Sequence, residues 1–176
     1  YEGVGIPRSK MIWIDAIHEK VEMAKQRGIP HIYEAVVSNK EGEQVVFHIA
    51  NNGQSSSLLE FGTHSSEHPQ VSFVEERVLT TTTIDAFFSR TPVDPSVYSF
   101  WNIDLQGAEL MALQGGEASL SYATALYLEI NVNELYQGCA LLPELDSYLE
   151  ERGFRRIRTE MTTHGWGDAL YLRFRS

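Results

Sequence analysis

The sequence holds a single cysteine, Cys139. One thiol cannot close an intrachain disulfide, and the apolar neighbourhood of Cys139 makes it a small buried side chain rather than a nucleophile. A reducing, cytoplasmic setting is the expectation. No apolar run reaches the ~20 residues of a membrane-spanning helix, and residues 1–10 have neither the basic start nor the apolar middle of a signal peptide, so no membrane insertion is expected. Basic residues are also few: 14 Lys and Arg stand against 24 Asp and Glu, a formal net charge of -10. They are scattered apart from a small cluster at 152–158, which argues against a nucleic-acid partner, because phosphate binding relies on clustered positive charge. No internal period is present, which excludes a repeat protein. The G-x-G-x-x-G fingerprint is missing too, leaving a nicotinamide-dependent dehydrogenase without support.

What is present is an ordinary globular composition, 176 residues with 43% apolar and 22% charged, enough for one domain spanning 1–176 with a sizeable core. The chain is organised around residues 99–116, SFWNIDLQGAELMALQGG. An apolar strand-like run ends at Asp104, then helical spacing through Ala108, Leu110, Met111 and Leu113 runs to a Gly115-Gly116 stop. In an open α/β sheet, ligands sit beyond the carboxyl ends of the strands, which makes Asp104 a candidate site residue; the alternative is a simple helix N-cap.

MIWIDA repeats the arrangement and closes on Asp15, a carboxylate placed to accept hydrogen bonds from both hydroxyls of a ribose. A cap is again the alternative, since residues 18–26 read as a helix ended by Gly28 and Pro30. HIYEAVVSN, a turn at 39–42 and EQVVFHIAN read as a hairpin. Residues 51–70 form a polar stretch long enough for a functional loop. Its Ser55, Ser56 and Ser57 could donate to a ligand or merely form a turn. His64 and His68, set among Ser65, Ser66 and Pro69, read as solvated loop histidines rather than a zinc site. VSFVEERVLTTTT reads as a further strand and ALYLEINV as the most clearly buried one, carrying Glu129 and Asn131 at its end. A helical stripe through Leu141, Leu145 and Leu149 follows, with Pro143 at its start and Gly153 at its stop. Two closing strands, near 154–160 and 169–175, are joined by MTTHGWGD with no crossover helix, so as neighbours they must be antiparallel. The class is α/β.

FWNIDLQGAELMALQGG, ALYLEINVNELYQG, LDSYLEERGF and HGWGDALYL, with IWIDA, EAVVSNKEGEQVVFHIANNGQSSSLLEFGTH and TTTIDAF in the same order, resemble the FkbM family of S-adenosylmethionine (SAM) dependent methyltransferases. The resemblance covers nearly the whole chain. It implies a Rossmann-like class I methyltransferase sheet of seven strands, mostly parallel with an antiparallel last strand, and methyl transfer to a hydroxyl oxygen of a sugar, glycan or similar small alcohol. It also implies that Asp15 and Ala16 meet the SAM ribose, that Glu34 and Ala35 lie near the adenine, and that Asp104, Gln106, Gly107 and Glu109 form the motif at the cofactor and substrate cleft. The family's first strand and its D-x-G-A-N-x-G type loop do not appear in residues 1–176. The expectation is a domain that is N-terminally incomplete as given.

Methyl transfer from a sulfonium is an in-line displacement that depends on positioning, and the accepting hydroxyl must lose its proton. Asp104 and Glu129 are the candidates to take it, either as base and orienting group or by sharing a divalent metal such as Mg²⁺. His164 in the HGWGDA loop is the rival base, because imidazole titrates near neutrality. Ser56, Glu109, Asn131, Trp166 and Asp168 are the candidate substrate contacts. Trp166 and Asp168 pair an aromatic face with a carboxylate, as sugar sites do, or else they pack the last hairpin. The competing class is a non-catalytic methyltransferase-like binding or scaffold domain of a larger glycan-synthesis protein.

Overall fold

The computed structural model describes residue 3 and residues 5–174. Tyr1, Glu2 and Val4 of the expected N-terminal turn, and Arg175 of the expected last strand, lie outside the described residues. Nine strands and six α-helices alternate in a mixed α/β order among the described residues.

Three separate sheets are formed rather than the expected single, mostly parallel sheet with an antiparallel last strand and lacking its first strand. The largest has the order β6-β7-β9-β8, from β6 (Phe100–Ile103), β7 (Ala125–Asn131), β8 (Phe154–Met161) and β9 (Trp166–Arg173). β6 and β7 are parallel, whereas β9 is antiparallel to both of its neighbours. The terminal pair is thus the antiparallel hairpin that its short loop required. β7 occupies the interior because Leu126, Leu128 and Ile130 are all fully buried on one face. Trp101 and Ile103 from β6, Ala169 and Tyr171 from β9, and Leu113, Leu120, Leu145 and Leu149 from the helices complete this core.

The helices follow local signals. α1 (His18–Gln26) ends where Gly28 takes a φ of +76° and Ile29 donates its N–H to the carbonyl of Ala24. α3 (Ile84–Arg90) starts at Thr83, whose hydroxyl accepts from the N–H of Ala86 at 3.1 Å. The crossover from β6 to β7 runs through α4 (Glu109–Gln114) and α5 (Glu117–Leu120). The first turn of α5 is capped from a distance by Asp85, which accepts from the N–H groups of Ala118 and Ser119. α6 (Leu142–Glu150) opens with Pro143, and Glu144 reaches back to the N–H of Leu141.

β1 (Trp13–Asp15) and β2 (Ile32–Glu34) pair in parallel, with Asp15 opposite Glu34. The third sheet has the order β3-β5-β4, from β3 (Val36–Val37), β4 (Gln44–Ala50) and β5 (Phe73–Thr82). This corrects the hairpin expected across the turn at 39–42. β5 lies between the two strands, parallel to β3 and antiparallel to β4. The turn is tied to β5 itself: Gly42 donates its N–H to the carbonyl of Thr81, and Glu43 donates to the Thr81 hydroxyl. α2 (His64–Glu67) is one helical turn in the segment expected to be a loop. His64 within it is buried and stacked on Phe61 at 4.2 Å, so the reading of a solvated histidine is corrected as well.

Candidate functional site

Asp104 follows β6 directly, and Glu129 lies near the end of the parallel neighbour β7. The turn after Asp104 is unusual in its backbone. Gln106 adopts a φ of +55°, rare outside glycine, and Gly107 a φ of +98°. A Cβ on Gly107 would lie 2.9 Å from the Cβ of Tyr136 and 3.0 Å from that of Cys139, so only glycine fits there. The turn aims the Gln106 side chain at both carboxylates. Its Nε2 donates to Asp104 Oδ1 and to Glu129 Oε2, each at 2.6 Å. Tyr136 donates its hydroxyl proton to Gln106 Oε1 at 2.7 Å, and Ser57 donates to the Gln106 carbonyl at 2.7 Å.

Glu109, in the first turn of α4, folds back beneath this turn and accepts from the N–H groups of Leu105 and Gly107 at 2.8 and 3.2 Å. Its burial makes it a support of the turn, not the direct substrate contact expected. Asp104, Glu109 and Glu129 thus form a group in which one carboxylate oxygen from each lies within 4.8 Å of the others. Asp104 is exposed, while Glu109 and Glu129 are buried. Burial raises the Glu129 carboxyl to about 10, reinforced by the neighbouring charges of Glu109 and Asp104. Burial also raises Glu109, to about 7, against the opposing effect of its backbone N–H donors. Three carboxyl groups so close cannot all ionise unaided. Glu129 is the one that keeps a proton at neutral pH.

A cavity of about 470 Å³ extends from this cluster toward β1. Asp15, Ala16, Ala35, Ser56, Asp104 and Gln106 all line it, as do the apolar side chains of Ile17, Val36, Phe47 and Leu58. Asp15 is not the cap of its alternative reading: Oδ1 accepts from the N–H of Ile17 at 2.8 Å in a turn ahead of α1, whose N-cap is Ile17 with no side-chain cap. Among the described residues, Oδ2 has only Lys20 as an ion-pair partner, at 3.8 Å. Ser56 turns its hydroxyl to the N–H of Ala50, which fixes the loop. Glu34 lies elsewhere, in an exposed ion pair with His18 at 2.7 Å. It is not brought to this cavity.

Asn131 lies two residues beyond Glu129 on the same strand face, fully buried, and neither polar atom of its amide has a hydrogen-bond partner among the described residues. Asp168 is the cross-strand neighbour of Glu129, with its carboxyl raised by burial. Trp166 packs on Leu135, Tyr136 and Cys139, the packing alternative rather than an open aromatic face. His164 is not at the carboxylates. Its Nδ1 lies 2.9 Å from Glu67, and its ring touches His68, which touches His64, which in turn touches Tyr136. Sequence reasoning missed Tyr136 and named Ser57 only as a donor to a ligand or part of a turn, whereas both hold Gln106; nothing local marks a tyrosine or serine as the partner of a distant glutamine.

The family model described as the methyltransferase FkbM domain matches residues 8–156, a span that contains the Asp15 wall and the whole carboxylate cluster. The chain belongs to the FkbM methyltransferase family. No match was found among curated proteins or among solved structures. In this FkbM domain no helix among the described residues is long and apolar enough to cross a membrane.

Proposed function

We propose that this FkbM domain transfers the methyl group of SAM to a hydroxyl oxygen of a sugar, glycan or similar small alcohol. The observation that carries the reading is the pairing of an exposed carboxylate, Asp104, with a cavity whose opposite wall ends in Asp15. The donor set suits the nucleoside portion of SAM: Asp15 Oδ2, whose ion pair with Lys20 is long at 3.8 Å, for the ribose, and apolar walls at Ile17, Val36 and Phe47 for the adenine. The unsatisfied amide of Asn131 supports a polar ligand beyond Glu129. On this reading β1-β2 and β6-β7-β9-β8 are two parts of one class I methyltransferase sheet. The parallel pairs β1/β2 and β6/β7, the antiparallel β9 and the cavity walled by both β1 and β6 support it.

SAM supplies an electrophilic methyl group. Asp104 accepts the proton of the attacking hydroxyl, while Gln106 holds the carboxylate in line through the 2.6 Å hydrogen bond its Nε2 donates to Oδ1. Glu129, protonated, adds no negative charge of its own and presents an O–H donor to the acceptor or to Asp104. A divalent cation such as Mg²⁺ would be held by Asp104, Glu129 and Glu109, with loss of the Glu129 proton, and would supply Lewis acidity at the acceptor oxygen.

Calorimetric titration of the natural full-length protein with SAM, and label transfer from SAM to simple sugars, test the reading. Asp15→Ala should weaken SAM binding by roughly 1.5 to 3 kcal/mol through lost charge-assisted hydrogen bonds. Full-length protein that binds no SAM and transfers no label would turn the reading to a non-catalytic binding or scaffold domain.

A further inference from the structure

We propose that His48, Glu60 and Glu76, on the far sheet and apart from the methyl-transfer site, bind a divalent transition-metal cation, with Zn²⁺ the best match. The three residues each place one ligand atom within 4.8 Å of the other two. His48 sits on β4 opposite Glu76 on β5, and Glu60 arrives from the loop that leaves the His48–Ser57 bridge. The His48 side chain is only 7% exposed, yet its Nδ1 has no hydrogen-bond partner among the described residues. Nε2 lies 3.4 Å from Glu60 and Nδ1 3.6 Å from Glu76, contacts too long to count as good hydrogen bonds. Neither glutamate forms an ion pair with Lys or Arg among the described residues.

One borderline nitrogen and two carboxylate oxygens are a ligand set that suits Zn²⁺ better than Mg²⁺, which prefers oxygen alone. Ligands at ~2.0–2.2 Å around a tetrahedral zinc stand roughly 3.4 Å apart; the ligand atoms lie within 4.8 Å of one another with the glutamates at different ring nitrogens, so both exposed side chains must turn toward the unpartnered Nδ1 to close the site. The imidazole is the fixed member. It stacks on Phe73 at 4.7 Å, and its backbone exchanges two hydrogen bonds with Ser57, at 2.9 and 3.0 Å. A cation here would therefore clip β4, β5 and the 51–60 loop together. That loop lends Ser56 to the cavity and Ser57 to the Gln106 carbonyl, so the clip would stiffen the support of the turn that carries Gln106.

The test is titration of EDTA-treated protein with Zn²⁺ by calorimetry, with Co²⁺ absorption as the spectroscopic counterpart and thermal melting alongside. Glu60→Gln/Glu76→Gln changes two exposed side chains and leaves the fold intact by circular dichroism. Asp104→Asn/Glu129→Gln reports on the other acidic cluster. The expected result is one bound Zn²⁺, a melting temperature raised by about 5 °C in large excess of cation, and affinity lowered by roughly 100-fold or more in the Glu60/Glu76 variant. The Asp104/Glu129 variant should bind zinc as the parent does. Parental affinity in the Glu60/Glu76 variant, loss confined to the Asp104/Glu129 variant, or no zinc binding at all would each overturn the proposal.

Discussion

Glu129 sets a problem that the fold must resolve, for it is a carboxylic acid buried beside two others. Keeping its proton is the solution, and that has a thermodynamic signature. A carboxyl whose folded pKa is raised stabilises the protein fully below its unfolded pKa and loses that contribution as pH rises toward the folded value. Glu109, raised to about 7, adds the same sign of slope between its unfolded value and neutrality. Stability should therefore fall from about pH 5 to pH 8. Glu129→Gln keeps the shape and removes the titration, so it should equal the parent near pH 4 and exceed it by at least about 1 kcal/mol at pH 8. Urea unfolding across this range decides the matter; a parallel dependence in both proteins would place Glu129 in the ionised state. Asp104 differs because it is exposed. Asp104→Asn retains a side-chain oxygen, so SAM affinity and melting temperature should stay near the parent. Methyl transfer should fall by roughly 10²-fold, the scale of a lost general base. Restoration of EDTA-treated parent by Mg²⁺ would assign Asp104 to a metal rather than to direct proton transfer.

At the scale of elements, the turn from Asp104 to Ala108 is the part least tolerant of change. Gly107→Ala must place a Cβ 2.9 Å from Tyr136 while holding a φ of +98°. Overpacking and left-handed strain together should cost about 2–4 kcal/mol, a drop of roughly 5–15 °C in melting temperature. Gly138→Ala is the control, since its φ is +72° with nothing within 4 Å of the added Cβ, and it should lose only the strain. These elements also show what local sequence can reveal. α1 was legible to the residue because Gly28 and Pro30 end it, and Asp104 and Glu129 were legible as acidic strand ends. The pairing of β5 with both β3 and β4 was not, because partner choice among β-rich runs is a non-local decision that no turn signal encodes. Gln106 could be named, but its supports Tyr136 and Ser57 come from 30 and 49 residues away. His164 misled because titration near neutrality says nothing about position, and the chain ties it to Glu67 instead.

Across the whole molecule, burial is distributed unevenly, and stability should follow it. The main core gathers β6, β7, β9, α4, α5 and α6 around Leu126, Leu128 and Ile130, each with no exposed surface. Among the described residues, the smaller core under β4 holds only Ile17, Val36 and Phe47 as buried members, each 5–7% exposed. On its outer side, Val46, Val74 and Val78 stand exposed. Fewer enclosed apolar contacts mean a lower free energy of local opening, so the β4/β5 ribbon should open without the central sheet. Native-state hydrogen exchange can order the two. Amides of Leu126, Leu128 and Ile130 should exchange only through global unfolding and track its denaturant dependence. Those of Val45, Phe47 and Leu79, although inside the ladder, should exchange through a smaller opening with a shallower dependence on denaturant. The same opening would separate Ser57 from Gln106, because Ser57 is held to β4 by its bridge with His48. Exchange at β4 and β7 with one common opening energy would show instead that the two cores melt as a single cooperative unit.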